Sequence, residues 1–541
     1  MTPPITAPRG FRGAFRIDPA ARACYSEGAG PYRIVPDAIA IPLDVDDLLT
    51  LVRAATDHGW PLVPRGAGSG MPGGNVGRGI VVDLMRFDTA PSQPTSDTVR
   101  VGAAVRWSEL DAALQVHGRR LPPEPSSGAF CTLGGMIAAN AAGARSVRYG
   151  SIRPWVLGVE LVSGRGERLW LERGARPAPV PEWIEALEEP LRAAAALIRR
   201  RFPQTRKNAS GYALDRYLDS GELLDLVIGS EGTLGIVTRA LLRVDRPPAA
   251  AAGVLLGLGD DADLGEVVQR LLPHEPSALE LLDATYLRMA QDRARIPDRS
   301  VEAVLLLDFE GDSAAAVTRA ARAAAAAVAD VCAFAEPALT PEAHREVWHV
   351  RHAASPALAS LPDTRRSLQI VEDGCVPIPH LGRYVRGVRA IADDLGILIV
   401  AFGHAGDGHL HVNALVDTTE PDVARRLGDL YDRVADLVIQ LGGTPSGEHG
   451  DGRLRAPIVE RLYGPDVVTL FRRIKAAFDP AGIMNPGVIL PAANARPIAE
   501  LKVGPDAAPI PAAAADALRA LERAGAWATP KLDLLAEPDA H

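Results

Sequence analysis

The chain has 541 residues, 47% of them hydrophobic and 23% charged, which is enough apolar material for two or three buried cores and too balanced a composition for large-scale disorder. Basic side chains number 58 against 67 acidic ones, so the net charge of −9 argues against nucleic-acid binding through phosphate neutralisation, while small anionic substrates stay open because a local cleft need not follow net charge. The four cysteines (Cys24, Cys131, Cys332 and Cys375) are scattered without a C-x-x-C pair, which spells neither an iron–sulfur cluster nor a zinc knuckle and fits a reducing compartment.

Residues 1–35 read as an irregular lead-in without the apolar core of a signal peptide, and no stretch reaches the roughly 18 apolar residues of a membrane span. These features predict a cytoplasmic protein with no transmembrane segment, leaving peripheral contact with a membrane open. Asp46 and Asp47 open a helical pattern (Leu48, Leu49, Leu51, Val52, Ala55) that ends at Gly59. A short extended run over 61–64, a glycine-rich loop over 65–75 and a strand over 80–84 follow.

The loop contains a literal G-x-G-x-x-G from Gly68 to Gly73, but Pro72 and further glycines lead into a strand. A Rossmann site needs a helix there, so that reading fails. An anion nest fits better, its backbone N–H groups converging on a pyrophosphate, with a bare flexible loop as the alternative. Residues 121–127 form a Pro-rich turn, and 132–143 is a run of small residues that either lets a large flat group lie against the backbone or packs a helix closely. A strand over 156–162 and an Ala- and Arg-rich helical region over 183–200 come next. After the segment 207–212, the stretch 225–238 sets a glycine turn between two apolar strands.

The densest chemistry lies at 403–413, which packs His404, His409, His411, Asp407 and Asn413 into one segment. The apolar run 397–402 reads as a buried strand, the glycines as a tight turn, and 409–413 as a second strand. Strand alternation places His409, His411 and Asn413 on one face. Downstream, Glu448 and His449 stand together.

Several motifs occur in one order: RGAGSG…GG (65–74), PSSGAFCTLGGMIAANAAG (125–143), VRYG (147–150) and GSEGTLGIVT (229–238). In this the chain resembles the flavin-dependent oxidoreductases of the vanillyl-alcohol oxidase/PCMH class. The second half carries VWHVRHAAS (347–355), EDGCVP (372–377), FGHAGDGHLHVN (402–413), SGEHGDGR (446–453) and FDPAGIMNPG (478–487), and is similar to the D-2-hydroxyacid dehydrogenase branch, which acts on D-lactate, glycolate and D-2-hydroxyglutarate. The resemblance covers about 36–490.

It implies an α+β chain with a PCMH-type FAD-binding domain of two subdomains over 1–245. A cap domain with an antiparallel sheet and the metal site follows over 246–478, then a segment returning to the FAD domain over 479–493 and a tail over 494–541 of open role. FAD would be held by Arg65, Gly66, Ala67, Gly68, Ser69, Gly70, Gly73 and Asn75. The second motif would add Pro125, Ser126, Thr132, Gly134, Gly135, Ala138, Asn140 and Gly143, with Tyr149, Gly150, Glu231, Gly232, Ile236 and Asn485 completing the site. Relatives with covalent flavin carry a histidine near the end of the first glycine loop; Ser69 stands here, which predicts non-covalent FAD.

Oxidising a 2-hydroxy acid removes a hydride from the α-carbon and a proton from the hydroxyl, so a base is required and a Lewis acid helps. By resemblance, His404, His411 and Glu448 bind a divalent metal, zinc or manganese, and His449 is the general base. Arg351 grips the substrate carboxylate, with Ser355 and Asn413 assisting; a surface salt bridge is the plainer reading of Arg351. Relatives specialised for D-2-hydroxyglutarate carry a lysine before an aspartate, where this chain has Ile370, Val371, Glu372 and Asp373, which leaves a distal-carboxylate site in doubt.

The tail carries a short amphipathic helix pattern around 512–524 and no cysteine, so electrons would pass to a separate acceptor: a quinone, a cytochrome, an electron-transfer flavoprotein or an iron–sulfur subunit. A homodimer is left open. The rival readings are an alcohol oxidase of the same fold without metal, and a non-catalytic flavin subunit of a larger complex.

Overall fold

The computed structural model describes residues 4–87, 94–95, 97–176, 180–260, 262–290, 296–298, 300–352, 361–362, 364–504 and 506–535. Three sheets carry the architecture. The first has the order Ala14–Arg16, Ala38–Ile41, Ile80–Asp83, Leu62–Arg65. Its last two pairings are parallel and its first antiparallel. Ile80–Asp83 is buried at all four positions, as a central parallel strand should be. Helix Val45–His58 covers this sheet. The Asp44 carboxylate caps it by accepting from Asp47 N at 3.0 Å, and Gly59 closes it in the left-handed conformation.

The lead-in is more ordered than the sequence suggests. Ala14–Arg16 pairs with Ala38–Ile41, and Asp18-Pro19 starts a short helix, Pro19–Cys24. An N-cap aspartate followed by proline at the first helical position is the signal for it. Leu223–Val227 is likewise a helix rather than the first of two apolar strands, buried at every position; a five-residue apolar run has no periodicity that separates the two states.

The second sheet has the order Thr98–Gly102, Gly235–Arg243, Val156–Ser163, Arg168–Glu172, all antiparallel. Against it packs helix Leu133–Ala139, capped by Thr132. A Cβ at Gly134 would lie 2.8 Å from that of Ala103, and one at Gly143 would fall on the carbonyl of Glu124. The close-packing reading of the small-residue run therefore holds at Gly134 and Gly143, and the run also forms a wall of a large cleft.

The third sheet is antiparallel throughout and runs Phe334–Ala338, Ala250–Leu258, Ala303–Gly311, Ala278–Asp283, Leu398–Gly403, His409–Asp417, Arg365–Leu368. The segment around 483–485 then returns to the first sheet, where Leu62 N donates to Ile483 O and Asn485 N to Leu62 O, both at 2.8 Å. No helix among the described residues is long and apolar enough to cross a membrane.

Candidate active site

A cleft of about 1290 Å³ opens between the glycine loop, the run 124–145, the turn 230–237 and the antiparallel sheet. Of the residues proposed to hold a cofactor, Arg65, Gly66, Ala67, Gly68, Ser69, Gly70, Asn75, Pro125, Ser126, Thr132, Gly134, Gly135, Ala138, Gly143, Glu231, Gly232 and Ile236 line it. Gly73, Asn140, Tyr149, Gly150 and Asn485 do not line it. A Cβ at Gly73 would meet the Tyr32 ring, Tyr149 Oη donates to Glu310 at 2.6 Å, and the Asn485 amide donates to the carbonyls of Gly74 and Glu231.

Arg65 pins the loop, since its guanidinium is buried and donates to the carbonyls of Tyr25 and Glu27. Asn75 Oδ1 and Trp107 Nε1 are buried on the cleft with no protein partner, so polar groups there await a ligand or water.

At the sheet end of the cleft the strand Leu398–Gly403 turns through a 3₁₀ bend, Ala405–Asp407, into His409–Asp417. The Nε2 atoms of His404 and His411 lie 3.4 Å apart, and Glu448 Oε1 is 3.2 Å from the first and 3.4 Å from the second. Each imidazole is held from behind: His404 Nδ1 lies 2.5 Å from Glu280 Oε1, and His411 Nδ1 lies 3.0 Å from the carbonyl of Glu372.

A carbonyl can only accept, and the Glu280 carboxyl is held down to about 2 because His404 and Arg351 outweigh its burial. Both Nδ1 atoms therefore donate, and in the neutral rings both Nε2 lone pairs face the Glu448 carboxylate. Three acceptors meeting head to head require a proton or a cation between them, and two imidazoles with one carboxylate suit a divalent ion with open positions. Lys207 donates to Glu448 Oε2 at 2.7 Å, and Lys207 and His404 overcome burial to keep that carboxyl well below its usual range.

His409 occupies the same cluster but not the cleft wall. It is fully buried, with Nε2 2.8 Å from Asp373 and Nδ1 3.4 Å from the Lys207 ammonium, which engages both ring nitrogens. Burial and Lys207 push its pKa down to about 4. Of the face grouped by alternation, His411 and Asn413 reach the cleft and His409 underpins it.

His449 stacks on His411 with ring centroids 5.2 Å apart and 18° between planes. Its Nδ1 lies 2.6 Å from Glu372 Oε2, and its Nε2 lies 3.7 Å from Glu448 Oε1. Burial opposes its charge, but Glu372 and Asp373 dominate and raise its pKa to about 9. Asp373 shapes the loop, accepting from the backbone N–H of Glu448 and His449 and from Ser446 Oγ. Arg351, on helix Pro341–His352, lines the cleft, donates from Nε to Glu280 Oε2 at 2.7 Å and sits 5.0 Å over the Phe402 ring. Ser355 lies outside the described residues.

Sequence reading assigned no role to Glu280, Lys207, Glu372 or Asp373. Glu280 had a signal, a carboxylate in the middle of the buried strand Ala278–Asp283, and Lys207 opens a motif that stood without a function.

Comparison with known proteins matches both halves of the chain. A family model described as FAD binding domain matches residues 36–172, and one described as FAD linked oxidases, C-terminal domain, matches 247–489. The glycolate oxidase subunit GlcD of Bacillus subtilis is 30% identical over 86% of this chain and 92% of its own. The D-2-hydroxyglutarate dehydrogenase of Pseudomonas putida is 32% identical over 89% of this chain, which spans about half (51%) of that enzyme's length. Among solved structures, 4-ethylphenol oxidase from Gulosibacter chungangensis superposes with a TM-score of 0.65 at 15% identity, covering 88% of this chain and 94% of that one, a likeness of fold.

Proposed function

This chain belongs to the FAD-linked oxidases, with a PCMH-type FAD-binding domain and an α+β cap, and we propose that it oxidises a D-2-hydroxy acid to the 2-keto acid with the help of a divalent cation. The observation that carries the reading is the convergence of His404 Nε2, His411 Nε2 and Glu448 Oε1 at one end of the cleft that the glycine loop lines at the other. Relatives named for glycolate and D-2-hydroxyglutarate oxidation support the substrate class.

The residues fit both groups. For FAD, backbone-rich walls over 66–70 and 134–143 and the unpartnered Asn75 Oδ1 and Trp107 Nε1 offer a cradle with polar atoms in reach. For a cation, the three converging acceptors, zinc- or manganese-compatible, would hold it. When bound, FAD takes up the hydride from the α-carbon and the cation lowers the pKa of the substrate hydroxyl.

The chain's own residues do the rest. Arg351 binds the carboxylate through its guanidinium, a planar match for two oxygens. Asn413 orients the substrate from the neighbouring cleft wall. His449, in its neutral form, receives the hydroxyl proton at Nε2; the positive charge of a cation held by His404, His411 and Glu448 would favour that neutral ring against the pull of Glu372 and Asp373, and Glu372 behind Nδ1 stabilises the imidazolium that forms, as a carboxylate does behind a catalytic histidine. Burial of Glu280 and Glu372 keeps water from competing for these contacts. The return of 483–485 to the first sheet supports a C-terminal segment that rejoins the FAD domain, and helix Pro465–Phe478 already packs there, its Val467, Phe471 and Phe478 sharing a core with Val99 and Leu161. Electrons then leave to a separate quinone, cytochrome, electron-transfer flavoprotein or iron–sulfur subunit.

Anaerobic titration of the flavin-loaded protein with D-lactate, glycolate, D-2-hydroxyglutarate and D-malate tests the reading. Bleaching of the visible flavin band by at least one, abolished by a chelator, is expected. A flavin that none of them reduces, or one reduced equally after metal removal, overturns it.

A further inference from the structure

The segment after the matched family region, whose role the sequence left open, forms part of the flavin cleft. Helix Ala512–Ala524 buries Ala514, Leu518 and Leu521, and Ala514 joins the core formed by Ala23, Cys24 and Tyr25. Gly525 ends the helix in the left-handed conformation, and the turn beyond it brings Trp527, 7% exposed, to the cleft that also holds the glycine loop. Lys531 Nζ closes this turn on itself by donating to the carbonyls of Trp527 and Thr529, and Arg86 pairs with Asp533 at 3.0 Å on the FAD side. One carboxylate ties it to the other side. Glu522 accepts from Lys502 Nζ at 2.7 Å and from Arg366 NH2 at 2.9 Å, and Arg366 belongs to the edge strand Arg365–Leu368 of the antiparallel sheet.

We infer that Glu522–Trp527 is a wall of the flavin site, with the Trp527 indole contacting bound FAD and Glu522 latching the wall to the cap through Arg366. The side chains have the shape for this. A rigid indole presents a flat apolar face with one polar handle, and Ala524 and Gly525 leave room beside it for close approach. A segment that only covered the surface would not need to bring an aromatic ring to the cavity. The inference rests on FAD occupying the cleft and extends its site beyond residue 489, where the family match ends.

The test compares backbone amide exchange in the full-length apoprotein before and after FAD is added, followed by FAD titration of Trp527→Ala. The expected result is protection of 519–530 together with 65–75, and an FAD Kd raised about tenfold in Trp527→Ala, with Trp527→Phe in between. Protection of 65–75 alone, or a Kd within about twofold of the parent, overturns the inference. Protection of neither segment overturns the FAD reading itself, and this inference with it. Should Trp527→Ala lose its helical signal, Trp527→Leu is judged by the same two thresholds.

Discussion

Glu280 Oε1 lies 2.5 Å from His404 Nδ1, a contact made from a strand 124 residues earlier in the chain. The other oxygen of the same carboxylate accepts from Arg351, so one buried group orients both a proposed metal ligand and the proposed substrate clamp. Glu280→Gln keeps the shape but removes the charge. Outer partners of this kind typically contribute 10- to 100-fold in metal affinity, and we expect a loss on that order in the cation Kd. A Kd unchanged from the parent would separate Glu280 from the metal.

The three facing acceptors make a direct prediction for metal content. Parent protein should retain about one divalent ion per chain, and His404→Ala or Glu448→Ala should lose it together with on the order of 10²-fold or more in kcat. Adding zinc or manganese to chelated parent should restore turnover, and adding it to either variant should not. Elemental analysis that finds equal metal in parent and variants would refute the assignment.

For Arg351→Ala, KM should rise and kcat fall together, with kcat/KM reduced on the order of 10- to 100-fold, because a charge-assisted clamp both binds and aligns the carboxylate. Steady-state kinetics on the best substrate of the panel decide it. A fall in kcat with KM unchanged would make Arg351 a support for Glu280 rather than a clamp.

Ser69 lines the cleft, and no histidine occurs anywhere in the loop 65–75. Precipitating the yellow protein with acid should therefore leave the flavin in the supernatant. Colour retained in the washed pellet would show a covalent bond.

The docking of the last helix should depend on pH. Burial and the neighbouring Arg65 lower the Lys531 pKa to about 7, with Asp83 opposing them, while an unfolded lysine titrates near 10.4. Between those values the unfolded chain holds a proton that the folded one lacks, so stability increases as pH rises through that window and is flat below it. Lys531→Met lacks this dependence. Thermal melts of both proteins from about pH 6.5 to about 9.5 should show the parent gaining on the variant; parallel curves would place the ammonium elsewhere.

Some of this molecule was readable because its determinants are local. The helix Val45–His58 announces itself by an acidic start and a glycine stop, and the pair Leu398–Gly403 and His409–Asp417 by an apolar run and an alternating one on either side of a glycine turn. His404 and His411 are seven residues apart and Glu448-His449 are adjacent, so motif order sufficed to name them. The class of fold and of cofactor followed from the same short segments. Their partners were not local.

Glu280, Lys207, Glu372 and Asp373 reach the site from four separate stretches of chain, and only burial gives their charges a common neighbourhood. Alternation put His409, His411 and Asn413 on one face, but packing decided that His409 would sit beneath the cleft, because Asp373 and Lys207 engage both of its nitrogens. The tail is the extreme case. Its amphipathic pattern predicted a helix, and only its docking on the segment around Cys24 made the turn at Trp527 part of the flavin cleft. Backbone preference and motif chemistry act over a few residues and are written in the sequence, whereas the field and shape of a site are sums over distant residues that exist only once the chain has folded.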